Sequence, residues 1–452
     1  MVLPLPLVPF ESYMLADDRP AYPMNSFIRL RFSGRFDRIA LDTAMSTAVS
    51  RHPLLAAVAH RSGRQWVWRP VDGLPTIQWL DALPAESLPS LKPLDVRLTS
   101  GMRVAVCEGP GQSDIVLQVH HACCDGLGMF AFARDLLVAY AIARGAAPAT
   151  SLRPLAPEQL RARGRFGLTT GRLVKMVPNH LAGLLGARQF LMRTPEPLVP
   201  HQPSDDDSPL PPDYPASWTR GLELTESKGL VAAARQQGVS TNDLLVRDFF
   251  LALNDWQQRH TPQRDRQWLR LTVPMNLRTV ADRRLPAGNV VSMVFLDRNP
   301  RQMMDPQRLL ESIRQEMQLI KRLQLGLTFV LSLQMCGWLP GGLGRMTRAR
   351  RCMATSVLTN VGPVLAHCPL PYEEGRLVVG DAVLQSIDAL APLRPLTCAA
   401  VVLMVYAGRF QITLHYDSRV LTATDAGALI DDFTARVRLS AVPRQPLVGI
   451  HP

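Results

Sequence analysis

The sequence predicts an α/β fold, in detail an α+β sandwich, that is divided into two lobes. Segments with strand periodicity and segments with helical periodicity occur in both halves of the chain, which argues against an all-α array. Eight prolines interrupt residues 194–217, and 452 residues with 47% hydrophobic side chains suffice for more than one core. We therefore expect an N-terminal lobe at 1–193, an exposed Pro-rich linker at 194–217 and a C-terminal lobe at 218–452.

The first half begins with a predicted strand and a predicted helix. Apolar residues alternate with polar ones over 28–32, which is typical of a half-buried strand. Helical spacing of apolar residues over 41–49 predicts the helix, and Pro53 prevents its continuation because proline lacks a backbone N–H. The apolar run at 115–119 predicts another strand, and a helical pattern over 127–144 follows it.

The second half opens with two predicted helices, over 228–237 and 241–259. Ser240 and Asp243 have the spacing of a capping box, which favours a helix start between them. The remaining predicted elements are, in chain order, a strand at 290–296, a helix at 306–323, an extended segment at 355–364, a hairpin of 399–406 with 410–416 across Gly408, and a last helix at 425–439.

The charge balance is strongly basic and limits the kinds of partner. The net charge is +12, and almost all of the cations are arginines. A basic surface attracts nucleic acid, phosphate-bearing small molecules or anionic lipid. Zinc-finger spacings and other nucleic-acid motifs are absent from the sequence and aromatic residues make up only 6%, so we expect no nucleic-acid partner. The phosphates of a coenzyme or carrier, or lipid head groups, fit better.

Cysteine usage and the N-terminus both favour a cytoplasmic location. The seven cysteines are scattered, odd in number and without a CxxC pair, which suits reduced thiols better than a disulfide framework. The apolar, Pro-rich start of the chain lacks the basic segment of a secretory signal. We expect no metal site.

One short segment has the residue types and spacing of a reactive site. His120 and His121 come directly after the apolar strand at 115–119, and Asp125 and Gly126 follow three residues later. Neighbouring side chains of a strand point to opposite faces, so only one histidine can face a cavity while the other packs behind it. Glycine at position 126 allows a positive φ or the close approach of a ligand. We interpret the intervening residues Cys123 and Cys124 as packing residues, because sequence shows no cationic partner for a thiolate.

This segment, HHxxxDG, resembles the active-site signature of the chloramphenicol-acetyltransferase-like superfamily. That superfamily includes condensation domains of peptide synthetases, plant BAHD acyltransferases and bacterial wax ester synthase/diacylglycerol acyltransferases. Residues 51–55, Arg-His-Pro-Leu-Leu, are similar to the segment that closes the first helix of its members. The resemblance implies two chloramphenicol-acetyltransferase-like lobes, each a mixed sheet flanked by helices, with an active-site tunnel between them.

The resemblance also implies roles for individual residues. The second histidine of the signature is the catalytic one, which corresponds to His121, and imidazole suits a general base near neutral pH. Residues 274–278, Pro-Met-Asn-Leu-Arg, are similar to a segment whose arginine pairs with the signature aspartate, so we expect a structural Asp125–Arg278 ion pair. Completion of a catalytic triad by Asp125 is the alternative, and we disfavour it because the carboxylate lies across a turn from the ring.

A third similarity concerns Thr359 and Asn360. Residues 359–363, Thr-Asn-Val-Gly-Pro, are similar to the SNVPGP-type segment of wax ester synthase-like members. A donor group there would hold the oxyanion of a tetrahedral intermediate. The alternative interpretation is an ordinary strand end that is followed by a Gly-Pro turn.

Together these features predict an acyltransferase that moves an acyl group from a thioester to a hydroxyl or amine acceptor. The sequence lacks a GxSxG nucleophile elbow, which favours a histidine base without a covalent acyl-enzyme. We expect this reaction to need no cofactor beyond the thioester substrate. The DFGWG motif of the BAHD branch is also absent. We favour acyl-CoA as donor and a lipid-type ester as product. A free-standing condensation enzyme with a carrier-protein-bound donor is the first alternative, and a non-catalytic binding or docking member of the fold is the second.

Two long segments contain no acidic residue, which suggests contact with an anionic membrane surface. They are residues 159–194 and 317–372, and within the second one residues 323–344 carry no charge at all. Pro340 and its neighbouring glycines argue against one continuous membrane-spanning helix. A peripheral, interfacial role fits better. The alternative is a buried helix with solvated arginines around it.

Overall fold

The computed structural model describes residues 2–80, 88–146, 150–166, 189–199, 208–261, 267–349 and 351–442. Three parts of the sequence predictions lie outside the described residues. They are residues 200–207 of the predicted linker with their acidic run, residues 167–188 of the first acid-free segment, and Arg350 of the second.

The described helices are distributed over both halves of the chain. Their bounds are α1 Pro9–Asp17, α2 Arg38–Arg51, α3 Gly126–Ala143, α4 Leu224–Gln236, α5 Thr241–His260, α6 Pro300–Met303, α7 Pro306–Arg322, α8 Gly326–Trp338, α9 Gly342–Thr347 and α10 Ala423–Ala441. The strands are β1 Leu5–Pro6, β2 Asn25–Ser33, β3 Ala57–Ser62, β4 Gln65–Pro70, β5 Ile77–Leu80, β6 Met102–Gly109, β7 Gln112–His120, β8 Ala216–Gly221, β9 Leu269–Asn276, β10 Val291–Arg298, β11 Ser356–Pro363, β12 Tyr372–Glu373, β13 Arg376–Val379, β14 Ala382–Leu390, β15 Ala399–Tyr406 and β16 Arg409–Tyr416.

Two large mixed sheets organise the molecule. The first has seven strands in the order β12-β13-β14-β2-β7-β6-β5, and the second has six in the order β10-β9-β11-β15-β16-β8. Most pairs are antiparallel, but β11 runs parallel to both of its neighbours, β9 and β15. Buried side chains of α2 and α3 share a core with the first sheet, while those of α4, α5 and α10 share a core with the second. The predicted α+β architecture of two lobes is therefore confirmed.

The division of the chain between the sheets differs from the predicted lobe boundaries. Residues 372–390, which fall in the predicted C-terminal lobe 218–452, form β12 to β14 at the edge of the first sheet. β14 pairs antiparallel with β2, from Val383 opposite Ser33 to Leu390 opposite Phe27. A register shift between Leu384 and Ser386 interrupts the alternation of buried residues, so the strand has no clean two-residue period to predict it.

The predicted linker 194–217 is also only partly an exposed connection. Leu198 is fully buried, and the indole N–H of Trp256 on α5 donates to the carbonyl of Val199. β8 already begins at Ala216 and pairs with β16. The start and end of this segment are thus held by packing against the second lobe, which proline content alone does not indicate.

The structure also decides the form of the uncharged segment 323–344. It contains α8, which has 13 residues and ends at Trp338, and the start of α9. At 1.5 Å per residue such a helix is about 20 Å long, whereas a bilayer core is about 30 Å thick. One described helix, Gly126–Ala143, is long and apolar enough to cross a membrane, but 67% of it is buried inside the protein. Its role in the core accounts for its hydropathy.

A substitution at Gly101 tests how tightly the core packs behind the histidine pair. A Cβ atom at this position would lie 1.9 Å from Cys123 Sγ, and the carbonyl of Gly101 accepts a hydrogen bond of 2.9 Å from the amide of His120. Overpacking of a core typically costs about 1–3 kcal/mol. We expect Gly101→Ala to lower the free energy of unfolding by about that amount in a urea titration. Gly221→Ala, which would meet no atom within 4 Å, is the control, and equal midpoints for both variants would contradict the expectation.

Candidate active site

A large cavity lies between the two lobes. Its volume is about 990 Å³, and its lining comes from β2 and α3 of the first lobe and from β9, β10, β11 and α8 of the second. Most of the lining side chains are apolar, including Met24, Met129, Met293 and Phe329. Lining residues that are themselves exposed mark where the cavity opens: Asn276 lies at one end of β9, and Leu191 lies near its other end. The cavity therefore has the form of a tunnel, and its volume suits a long apolar ligand.

His121 lies on the wall of this cavity, one residue beyond the end of β7. The backbone around it is held from two sides. The amide of His121 donates to the carbonyl of Met24 over 2.7 Å, and Asn289 Nδ2 donates to the carbonyls of His121 and Ala122 over 3.0 and 2.9 Å. The Phe10 ring lies 5.8 Å from the imidazole, centroid to centroid. The backbone of His121 thus has a fixed position, and its side chain lines the cavity.

The environment of His121 favours the neutral imidazole. Burial lowers the pKa of His121, because the charged ring loses its hydration, and the backbone carbonyl of the residue itself and the Asp125 carboxylate offset only part of this effect. Nδ1 is fully buried, which leaves Nε2 as the nitrogen available to a molecule in the cavity. A neutral ring with one accessible nitrogen is the form that a general base requires.

His120 occupies a different environment, as the alternation of a strand requires. Its side chain is fully buried and does not line the cavity. Nδ1 accepts a hydrogen bond of 3.2 Å from the amide of Ala122, and Nε2 lies 3.3 Å from Asp18 Oδ1. His120 therefore supports the turn that carries His121 and is remote from the tunnel itself.

The two cysteines of the segment are packing residues in the structure. Cys123 and Cys124 are both fully buried. Burial raises the pKa of both thiols well above the usual value, so neither forms a thiolate at neutral pH.

Gly126 is the first residue of α3, and its φ is not positive, which corrects one of the two expectations for this glycine. It lines the cavity opposite Val361, and a Cβ atom at Gly126 would come within 3.9 Å of Val361 Cγ2.

Asp125 and Arg278 form a bidentate ion pair between the lobes. Arg278 Nη1 donates to Asp125 Oδ2 over 2.8 Å, and Nη2 donates to Oδ1 over 2.9 Å. The same carboxylate accepts from the amides of Gly128 and Val290, both over 2.9 Å. Although burial alone would raise it, the pKa of Asp125 is lowered because the Arg278 guanidinium and the amides of Val290 and Gly128 together outweigh burial. All of these hydrogen bonds lead away from His121, so the described contacts do not form a catalytic triad.

Residues 287–290 of the second lobe extend this contact over the first lobe. Beyond the bonds of Asn289 and Val290 already described, Arg278 Nη2 donates to the carbonyl of Gly288 over 3.0 Å. The amide of Ala287 donates to Nδ1 of the buried His52 over 2.8 Å. His52 Nε2 in turn lies 3.4 Å from Asp135. Sequence reasoning missed this segment, because it acts through backbone groups and one asparagine, which leave no distinctive pattern.

Thr359 and Asn360 lie on β11 and line the same cavity as His121. The Asn360 side chain is engaged locally, since Oδ1 accepts from the amide of Gly362 over 3.0 Å and Nδ2 lies 3.5 Å from Asn242 Oδ1. The Thr359 hydroxyl has no hydrogen-bond partner among the described residues, which leaves it free to donate to a ligand. Of the two predicted oxyanion groups, the geometry thus favours Thr359.

Comparison with proteins of known structure identifies the fold. No protein-family model matches this chain, and no curated protein is similar to it in sequence. Solved structures do match. The first condensation domain of the calcium-dependent antibiotic synthetase, in complex with a substrate analogue, aligns with a TM-score of 0.69 at 17% identity over 98% of this chain and 97% of that one.

Two further structures extend the comparison. The starter condensation domain of rhizomide synthetase, solved in complex with C8-CoA, has a TM-score of 0.65 at 15% identity and covers 97% of this chain and 95% of that one. Polyketide synthase associated protein 5 from Mycobacterium tuberculosis has a TM-score of 0.65 at 16% identity over 97% of this chain and 99% of its own. Structural matches at identities this low establish the fold alone. The chemistry of this chain has to be argued from its own site.

A double-mutant cycle tests the energetic role of the interlobe ion pair. Removal of one partner of a buried pair typically costs about 3–5 kcal/mol, because the other charge stays buried without compensation. We expect Asp125→Ala and Arg278→Ala each to lower the free energy of unfolding substantially, and the double variant to lose much less than the sum. Chemical denaturation of the four proteins measures this coupling.

The exposed pair Arg409–Glu223 provides the matched control for this cycle. Arg409 Nη1 and Glu223 Oε2 lie 2.9 Å apart, but both side chains are about half exposed or more. We therefore expect a coupling energy of roughly 0–1 kcal/mol. If the losses in the free energy of unfolding at positions 125 and 278 are additive, the contact contributes no coupling energy.

Proposed function

We propose that this protein is an acyltransferase that moves an acyl group from a thioester to a hydroxyl or amine acceptor. His121 is the general base, and no covalent acyl-enzyme forms. The observation that carries the proposal is an imidazole on the wall of an apolar tunnel between the lobes, where burial lowers its pKa and so favours the neutral ring. Such a ring can accept a proton from a nucleophile that reaches it through one opening, while the thioester reaches it through the other.

The proposed reaction needs only groups that line the cavity. The acceptor O–H or N–H gives its proton to His121 Nε2 as its oxygen or nitrogen attacks the thioester carbonyl. The tetrahedral intermediate places its negative charge on the former carbonyl oxygen, where the Thr359 hydroxyl donates a hydrogen bond. When the C–S bond breaks, the thiolate takes the proton from His121 and leaves as a thiol, which returns the ring to its neutral form. Thioesters are already activated, so the protonated Cys123 and Cys124 thiols are not required as nucleophiles.

Asp125 and Arg278 are positioning residues in this proposal. The carboxylate caps α3 through its bond to the amide of Gly128 and binds the amide of Val290, which is adjacent to the asparagine that holds the His121 carbonyl. Loss of the ion pair would therefore displace the turn that carries the base.

The donor and product are finer parts of the proposal. The basic balance of the chain suits the phosphates of coenzyme A or of a carrier's phosphopantetheine, and the apolar lining suits an acyl chain and a lipid-type acceptor. We favour acyl-CoA as the donor. The starter condensation domain of rhizomide synthetase, which has the same fold, was solved in complex with C8-CoA. A free-standing condensation enzyme with a carrier-bound donor is the second candidate, and the peptide-synthetase condensation domains among the similar structures favour it. Cytoplasmic location stays a prediction, in keeping with seven free cysteines.

Removal of the imidazole tests the catalytic assignment. We expect His121→Ala to lower the rate of acyl transfer by about 10²–10⁴-fold, because general bases typically contribute that much. The assay follows release of free thiol from octanoyl-CoA and from octanoyl-carrier protein, each with a panel of alcohols and amines. His60→Ala, which removes an exposed histidine on β3, is the control for activity, and circular dichroism checks the fold. Normal turnover by His121→Ala would refute the assignment, and turnover with the carrier-bound donor alone would favour the second candidate.

The pH dependence of the reaction provides an independent test. Burial places the pKa of His121 below its ordinary value of 6.5, so the neutral base persists at pH values where a free histidine is already protonated. With an alcohol acceptor, we expect kcat/KM to be flat above neutrality and to fall on the acid side with a midpoint below 6.5. The free energy of unfolding should also decline as the pH falls below 6.5, because the unfolded chain then takes up a proton that the folded site resists. An acid limb centred above 6.5 would contradict the neutral-imidazole assignment.

A further inference from the structure

The tip of the α8–α9 hairpin carries large apolar side chains that nothing in the described structure covers. Met335, Trp338 and Leu339 are 63%, 74% and 59% exposed, although they follow one another at the end of a single helix. Arg345 on the returning helix and Arg348, which directly follows that helix, are exposed as well. We call these five residues the tip patch. Contiguous exposed apolar side chains of this size usually mark an interaction surface.

The hairpin that bears the patch also forms a wall of the tunnel. Phe329, Ser332 and Cys336 of α8 line the cavity, so the same helix reaches from the tunnel to the exposed tip. Ala349, which is adjacent to Arg348, lines the cavity and is itself exposed, which places an opening of the tunnel beside the hairpin. A molecule bound at the tip patch would therefore lie next to an opening that leads to His121.

The segment that carries the patch has charge of one sign. Residues 317–372 contain no acidic side chain, and Lys321 and Arg322 are exposed at the end of α7. Arg345 Nη2 donates to the carbonyl of Pro340 over 2.7 Å, and no described carboxylate forms an ion pair with Arg345 or Arg348. Apolar side chains that are surrounded by uncompensated cations complement an anionic lipid surface, where the cations meet the head groups and tryptophan and leucine enter the interface.

We propose that the tip patch docks on an anionic lipid bilayer, so that a lipid-type substrate passes from the membrane into the adjacent opening of the tunnel. The helix is too short to span a bilayer, so the docking is interfacial. Delivery of substrate rests on the proposed acyl transfer, whereas docking itself does not. A folded protein partner is the competing occupant, but a uniformly acid-free surface with a protruding tryptophan fits a diffuse sheet of negative charge better.

Vesicle flotation with the full-length protein tests the docking. We expect binding to vesicles of phosphatidylcholine mixed with phosphatidylglycerol, weak binding to phosphatidylcholine alone, and weaker binding at high salt because ions screen the attraction. The triple variant Met335→Ser/Trp338→Ser/Leu339→Ser and the double variant Arg345→Gln/Arg348→Gln should each reduce the bound fraction about tenfold or more. Turnover of octanoyl-CoA with a soluble alcohol should stay at the wild-type level in both, since none of the five residues lines the tunnel.

Matched substitutions elsewhere on the surface serve as controls. Leu98→Ser removes a leucine that is 79% exposed outside the patch, and Arg64→Gln removes an exposed arginine on the turn between β3 and β4. Both should float with vesicles as the wild-type protein does. Equal losses in controls and patch variants would overturn the proposal.

The outcomes separate docking from catalysis. Absence of wild-type binding to phosphatidylglycerol vesicles overturns the membrane surface, even if acyl transfer from octanoyl-CoA proceeds. Vesicle binding without any transfer overturns the proposed function and leaves the docking surface in place. Patch-dependent self-association in sedimentation, or patch-dependent binding of an acidic carrier protein without vesicle binding, would assign the surface to a protein partner and also overturn the proposal.

Discussion

The ion pair between Asp125 and Arg278 is the interaction on which the arrangement of the site depends. It joins the first residue before α3 to the end of β9, and these two elements form opposite sides of the tunnel. Two backbone amides complete the coordination of the carboxylate, so its charge is compensated by four hydrogen bonds in a buried position. A buried charge that is satisfied in only one geometry fixes the relative positions of its partners, because every displacement leaves a charge without compensation.

The position of His121 consequently depends on both lobes. β7 brings His121 to the cavity, but Asn289 of the second lobe binds the carbonyls that orient the backbone at and after it. The buried His52, which ends α2 of the first lobe, accepts the amide of Ala287 and so anchors the same segment at its other end. Neither lobe alone contains the groups that hold the imidazole in place.

Local patterns in the sequence predicted those helices and strands in which buried residues recur at a regular spacing. The helices near 241–259 and 306–323 and the hairpin around Gly408 lie within a few residues of their predicted bounds, and the Ser240–Asp243 capping box is present. The short signature around His121 is also contiguous, and its second histidine lines the cavity between the lobes. Prediction was poorest where the determinants are non-local. The strand at 382–390 depends on a partner far away in the chain, and Asn289 acts on backbone carbonyls that any residue could supply.

The pairing of β14 with β2 has a consequence for how the protein is made. Arg29 on β2 binds Asp388 on β14, and the two are 359 positions apart in the chain. As the chain leaves the ribosome, β2 therefore has one unpaired edge until more than four-fifths of the residues have been synthesised. An open edge of this kind can pair with other chains, and such late closure slows folding. The first sheet therefore cannot be completed before β14 has left the ribosome.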